Sequence, residues 1–119
     1  MRSVVLTVTI DCLDAEALSR FWCQVLGYDE LRRFTDAKGV EYIEIAGDPE
    51  PVLLFQPVPE AKSVKNRLHL DLAPASGEQA DEVRRLVGLG ARLLADDPDM
   101  PWILLADPEG NEFCVLPRA

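Results

Sequence analysis

Lys65-Asn66-Arg67-Leu68-His69-Leu70-Asp71-Leu72 alternates residue by residue. Leu68, Leu70 and Leu72 share one face; Arg67, His69 and Asp71 share the other. Period 2 marks a half-buried strand, here expected over 64–72. The leucines are assigned to a core. A cation, the only histidine of the chain and a carboxylate are then lined up on the opposite face. The same arrangement occurs near the start of the chain. Val4, Leu6, Val8, Ile10 and Cys12 share one face of a strand over 4–12, and Thr7, Thr9 and Asp11 share the other. A solvated strand face can look like this once; its recurrence calls for a comparison of the two halves.

The first strand is followed by Asp14, a residue type whose side-chain oxygen accepts from first-turn backbone N–H groups. A helix to about Leu26 carries Leu18, Phe21, Trp22, Val25 and Leu26 on one stripe. Gly27 suits its C-terminus, since glycine takes positive φ at little cost. Strands follow over 29–34 (charged, hence an edge), 40–45 and 52–56. Turns at 36–39 and 47–51 separate them. Pro57 and Pro59 make 57–64 a linker. In the second half, Ser76 and Gln79 have the spacing of a capping box. A helix over 77–89 puts Ala80, Val83, Leu86 and Val87 on one stripe, and Gly90 ends it. Strands over 91–95, 102–106 and 112–116 complete the chain.

Three matches recur in the same order. Ile10-Asp11 returns as Leu70-Asp71, Leu26-Gly27 as Leu89-Gly90, and Asp48-Pro49-Glu50 as Asp107-Pro108-Glu109. Each half reads strand, helix, strand, strand, strand. A duplication of this kind decides the fold class. The expectation is α+β: one domain of two tandem βαβββ units, at about 3–57 and 64–117. In each unit the helix covers one face of the sheet. The two uncovered faces are expected to curve into a cup, with Thr7, Thr9 and Asp11 from one unit and Arg67, His69 and Asp71 from the other. Concave sites with a few convergent polar groups are the usual small-ligand pockets.

Bulk properties narrow the function. At 119 residues, 48% of them apolar, the chain suits one domain with a real core. It has no apolar run of membrane-spanning length. Arg2 leads into a strand pattern and not into a signal-peptide apolar region, so a cytoplasmic location is expected. Cys12, Cys23 and Cys114 lack metal-ligand spacing and read as reduced thiols. A net charge of −9 argues against nucleic acid and anionic membranes as partners.

Four stretches resemble a known family. Phe21-Trp22-x-x-Val25-Leu26-Gly27-Tyr28 is similar to its helix end, and Leu86-x-x-Leu89-Gly90-Ala91 to the second copy of that end. Asp107-Pro108-Glu109-Gly110-Asn111-Glu112-Phe113 is similar to the turn before its last strand. Lys65 to Leu72 resembles a signature of its glyoxalase-like branch. The family is the glyoxalase/bleomycin-resistance/dioxygenase family of the vicinal-oxygen-chelate superfamily, and the likeness spans about 4–117. It implies the glyoxalase/bleomycin-resistance fold, a small-molecule ligand in the cup, and a homodimer.

Metal-dependent members hold a divalent ion through His, Gln or Glu on the first and last strand of each unit. Carried over, those positions fall at Thr7 or Thr9, at Gln56, at His69, and at Cys114 with Glu112 one strand step earlier. His69 is a proper ligand and Gln56 a second; the set falls short of the usual three or four. The expectation is therefore no cofactor, with a divalent ion on His69 and Gln56 as the alternative. The functional reading is a small-molecule-binding protein. Its competitor is a lyase, isomerase or dioxygenase-type enzyme, with His69, Asp71 and Asp11 as catalytic groups. Thr7, Thr9, Gln56, Arg67, Trp102, Glu112 and Cys114 are candidate ligand contacts. Each has a plainer reading beside it: Arg67 as an exposed strand-edge residue, Asp11 and Asp71 as loop tethers, Cys114 as a buried thiol. Trp22 belongs to the helix stripe and is assigned to the core.

Overall fold

The computed structural model describes residues 1–118. Two compact units divide the chain, Met1–Ala61 and Lys62 onward. The first holds β1 (Val8–Cys12), α1 (Ala15–Leu26), β2 (Asp29–Thr35), β3 (Glu41–Ala46) and β4 (Leu53–Pro57). The second holds β5 (Leu70–Leu72), α2 (Gln79–Leu89), β6 (Arg92–Ala95), β7 (Ile103–Ala106) and β8 (Glu112–Val115). The fold is thus α+β, with two βαβββ modules. Each has its own mixed sheet of four strands, ordered β1-β4-β3-β2 and β5-β8-β7-β6. In both, the first and last strands pair parallel and the remaining pairs run antiparallel. Even the irregularities repeat. Bulges fall between Glu30 and Arg32 on β2, and between Leu93 and Ala95 on β6.

Local chemistry builds unit 1 as the pattern predicts. The Ala17 amide donates to Asp14 Oδ1 at 3.0 Å, capping α1. Gly27, at φ 68°, ends the helix in the left-handed region. Leu18, Phe21 and Trp22 are buried, Phe21 and Trp22 edge to face with ring centroids 5.3 Å apart. Their stripe covers Ile43, Ile45, Leu53 and Phe55, all at 1% exposure or less. Gly47 answers to packing: a Cβ there would meet the Tyr28 ring at 2.5 Å.

Unit 2 departs from the sequence pattern at two points. Only Leu70–Leu72 of the 64–72 stretch pairs. Arg67 and Leu68 lie in a bend, and Leu68 is 85% exposed instead of buried. The cause is the partner strand. Leu70, Asp71 and Leu72 meet Phe113, Cys114 and Val115, and just before them Glu112 turns its side chain to the Asn66 amide. β8 begins at Glu112 and offers no residue to pair with the earlier part of the stretch. The same holds for Val4 and Leu6, which are exposed. β1 starts at Val8, whose amide donates to Val52 O; beyond that, Pro49 and Pro51 carry no N–H to extend β4.

The second departure is the helix start. Residue 78 precedes α2, with no side-chain cap. The Gln79 side-chain Nε2 instead donates to Pro101 O and Val115 O, each at 2.8 Å, tying α2 to the end of β8 and to the segment before β7. Ser76 takes no capping role. Asp81 and Glu82 in the first turn meet the positive end of the helix dipole. Val83 and Leu86 form the buried stripe, while Ala80 and Val87 are exposed.

The β2–β3 hairpin carries a pH-dependent contact. Asp36 accepts from the Lys38 and Val40 amides at 2.8 and 3.1 Å and from the Tyr42 hydroxyl at 3.0 Å. The Val40 amide, with Lys38 and Tyr42, holds its carboxyl below the usual value against the opposing effect of burial. A lowered folded-state pKa stabilises above the unfolded value and is lost as pH falls through the folded one. Asp36→Asn should therefore flatten the acid limb of the stability curve. Urea midpoints taken down to about pH 2 check this; an unchanged limb would count against the assignment.

Candidate functional site

The face of the β5–β8 pair that Leu70 and Phe113 do not occupy carries His69, Asp71 and Cys114. Period 2 sets His69 and Asp71 on one side, and the parallel register sets Cys114 directly opposite Asp71. One ligating atom from each lies within 4.8 Å of the other two. His69 Nε2 is 3.3 Å from Asp71 Oδ1, and both side chains reach solvent. Cys114 is buried. Burial raises the pKa of its thiol, and the Asp71 carboxylate, which accepts a hydrogen bond from it, raises it further; Lys65 opposes this weakly. The thiol is thus protonated at neutral pH and poorly suited to act unaided as a nucleophile.

The segment leading to His69 is clamped. Glu112 pairs with Lys62 at 3.1 Å and accepts from the Asn66 amide at 3.1 Å. Lys62 also donates to Val64 O at 2.7 Å. The Asn66 amide group donates to Asn111 Oδ1, and Asn111 is held in turn by the buried Asp107. Burial raises the pKa of Glu112, but the Asn66 amide and Lys62 outweigh it and hold the group below its usual value. Glu112 is engaged in holding chain.

The three donors are a grouping that could hold a divalent ion. An imidazole nitrogen, a carboxylate oxygen and a sulfur match in number and kind the three protein ligands of an open zinc site. One soft sulfur with harder partners favours zinc over manganese. Metal–ligand bonds of about 2.0–2.3 Å put tetrahedral donors roughly 3.3–3.8 Å apart; the His69–Asp71 pair has that spacing. Binding would require Cys114 to give up its proton.

The other candidates belong to unit 1 or flank the strands of unit 2. Asp11 and Gln56 face each other across β1 and β4 in unit 1. Thr7 and Thr9 share a hydroxyl–hydroxyl contact of 3.3 Å. Arg67 is exposed at its bend, and Trp102, 43% exposed, precedes β7. The sequence reading treated Asp71 as an acid–base group and did not set it beside Cys114 as a donor. Only the strand register supplies that pair. It also passed over Arg32, Phe34, Tyr42 and Glu44, which adjoin one another on the β2–β3 pair.

Solved structures share the fold at low identity. The trypanothione-dependent glyoxalase I of Leishmania major is 15% identical, with a TM-score of 0.74 over 97% of this chain and 86% of its own. A mutant of the fosfomycin resistance protein FosX from Listeria monocytogenes, complexed with Mn(II) and a dihydroxypropylphosphonic acid, is 14% identical. Its TM-score is 0.79 over 98% of this chain and 93% of its own. FosX from Mesorhizobium loti gives 14% and 0.77 over 98% and 92%. No curated protein matches the chain significantly. The family model of the glyoxalase-like domain matches residues 7–116, which takes in both modules. The chain belongs to the glyoxalase-like domain family.

Proposed function

We propose that this protein binds a small organic molecule over the face of unit 2 that carries His69, Asp71 and Cys114. The observation behind this reading is the convergence of three unlike titratable groups, two reaching solvent, on one strand pair. The two ring nitrogens of His69 and the Asp71 carboxylate, 3.3 Å apart at their nearest, offer polar partners to a ligand hydroxyl or N–H. The fold supports the reading, since vicinal-oxygen-chelate relatives are complexed with small molecules, as the Listeria FosX is.

A second reading has its own support in the donor spacing. A divalent ion held by His69, Asp71 and Cys114 would act as a Lewis acid on a bound carbonyl or hydroxyl. Thermal-shift screening of small aromatic and cationic compounds, with and without added zinc, tests both. Stabilisation by a compound that weakens at least about tenfold in apparent affinity in His69→Ala supports the first reading. Equal stabilisation of wild type and variant would sink it. Zinc that binds stoichiometrically and is lost in both His69→Ala and Cys114→Ser supports the second; zinc retained by both variants would remove it.

A further inference from the structure

The two sheets present matching rows, of four residues in unit 1 and three in unit 2. In unit 1 the row is Thr9, Leu54, Glu44 and Arg32, successive partners across β1, β4, β3 and β2. In unit 2, Glu112, Ala106 and Arg92 follow one another in the same way across β8, β7 and β6. The position of Glu44 is therefore taken by Ala106 in the second copy. The fold does not need a carboxylate there. Where the unit 2 row does carry one, at the half-buried Glu112, Lys62 and the Asn66 backbone amide occupy both of its oxygens.

Glu44 is treated differently. Its side chain is 8% exposed, and Oε1 accepts from Arg32 Nε at 3.2 Å. Among the described residues, Oε2 and the terminal nitrogens of Arg32 have no protein partner. Arg32 is 61% exposed, yet it is held in place. Its guanidinium lies 4.6 Å from the centroid of Phe34, which stacks on Tyr42 at 5.0 Å and 8°. Among the described residues no buried side-chain oxygen or nitrogen lacks a partner, so Oε2 is the edge of a largely buried carboxylate that reaches solvent. The pair offers one acceptor oxygen beside a fork of unused donors, next to an aromatic stack.

We propose that Glu44 and Arg32 form a ligand site of unit 1 for a zwitterionic small molecule, an α-amino acid or close analogue with an apolar or aromatic side group. The ammonium donates to Glu44 Oε2. The carboxylate takes the Arg32 fork, the geometry at which guanidinium is most selective. The side group lies against Phe34 and Tyr42. A zwitterion carries no net charge, so the net charge of −9 does not repel it.

Isothermal titration with L-phenylalanine, phenethylamine and phenylacetate tests this. Phenylalanine is expected to bind saturably, and the two compounds lacking half of the zwitterion at least about tenfold more weakly. Arg32→Met and Glu44→Gln should each weaken phenylalanine by about tenfold or more. Arg32→Lys, which keeps a cation beside Glu44 but loses the planar fork, should weaken phenylalanine likewise and decides the matter if Arg32→Met or Glu44→Gln is unstable. Absence of saturable binding up to about 10 mM, phenethylamine or phenylacetate binding as well as phenylalanine, or wild-type affinity in Arg32→Met would each overturn the proposal.

Discussion

Phe113→Ala is expected to remove about 3–5 kcal/mol of stability, and Phe55→Ala the same. The two rings occupy equivalent positions, Phe55 opposite Ile10 on β4 and Phe113 opposite Leu70 on β8. Each is at 1% exposure or less, on the sheet face its helix covers. A ring deleted from such a site takes its transfer free energy with it and leaves a cavity that close-packed neighbours cannot collapse into. Domains of this size have about 5–15 kcal/mol in total, so either change brings the chain near the unfolding threshold. Urea titrations followed by circular dichroism give the loss directly. A cost under about 1.5 kcal/mol at either site would mean that its core is far more plastic than close packing allows.

Asp107→Ala should cost about 2–4 kcal/mol, although it removes only a few atoms. The Asp107 carboxylate is 4% exposed and accepts from the Glu109 and Asn111 amides at 2.9 and 3.0 Å and from the Asn111 side chain at 2.9 Å. Alanine takes away the oxygens those part-buried donors use. Buried donors without partners cost about 1–3 kcal/mol each. The effect reaches further, because Asn111 also receives the Asn66 side chain at 3.3 Å, within the segment that delivers His69. Hydrogen exchange should therefore quicken at the Glu109, Asn111 and Asn66 amides together. Faster exchange confined to Glu109 and Asn111 would show that the His69 segment is held by Glu112 and Lys62 alone.

Much of the fold was legible in short stretches. Asp14, the Leu18–Val25 stripe and Gly27 announce α1, and period 2 announces β1 and β5. The duplicated dipeptides and the repeated Asp-Pro-Glu turn announce two copies of one unit. Reading failed where a side chain had two uses. Gln79 has capping-box spacing from Ser76, yet its side-chain amide spans to Pro101 and Val115. Leu68 keeps the strand period, yet the ladder stops short of it. Glu44, between Ile43 and Ile45, reads as an ordinary polar-face residue of β3; nothing nearby in the chain says that it is buried.

The sequence by itself determined the order of the elements and their duplication, because period, caps and turns act between residues a few positions apart. It also placed His69 and Asp71 side by side, although only Asp71 lies within β5. Tertiary structure alone decided that Cys114 joins them, that Glu112 clamps the preceding segment, and that Glu44 keeps an oxygen open beside Arg32. Those meetings follow from strand register, which pairs residues far apart in the chain.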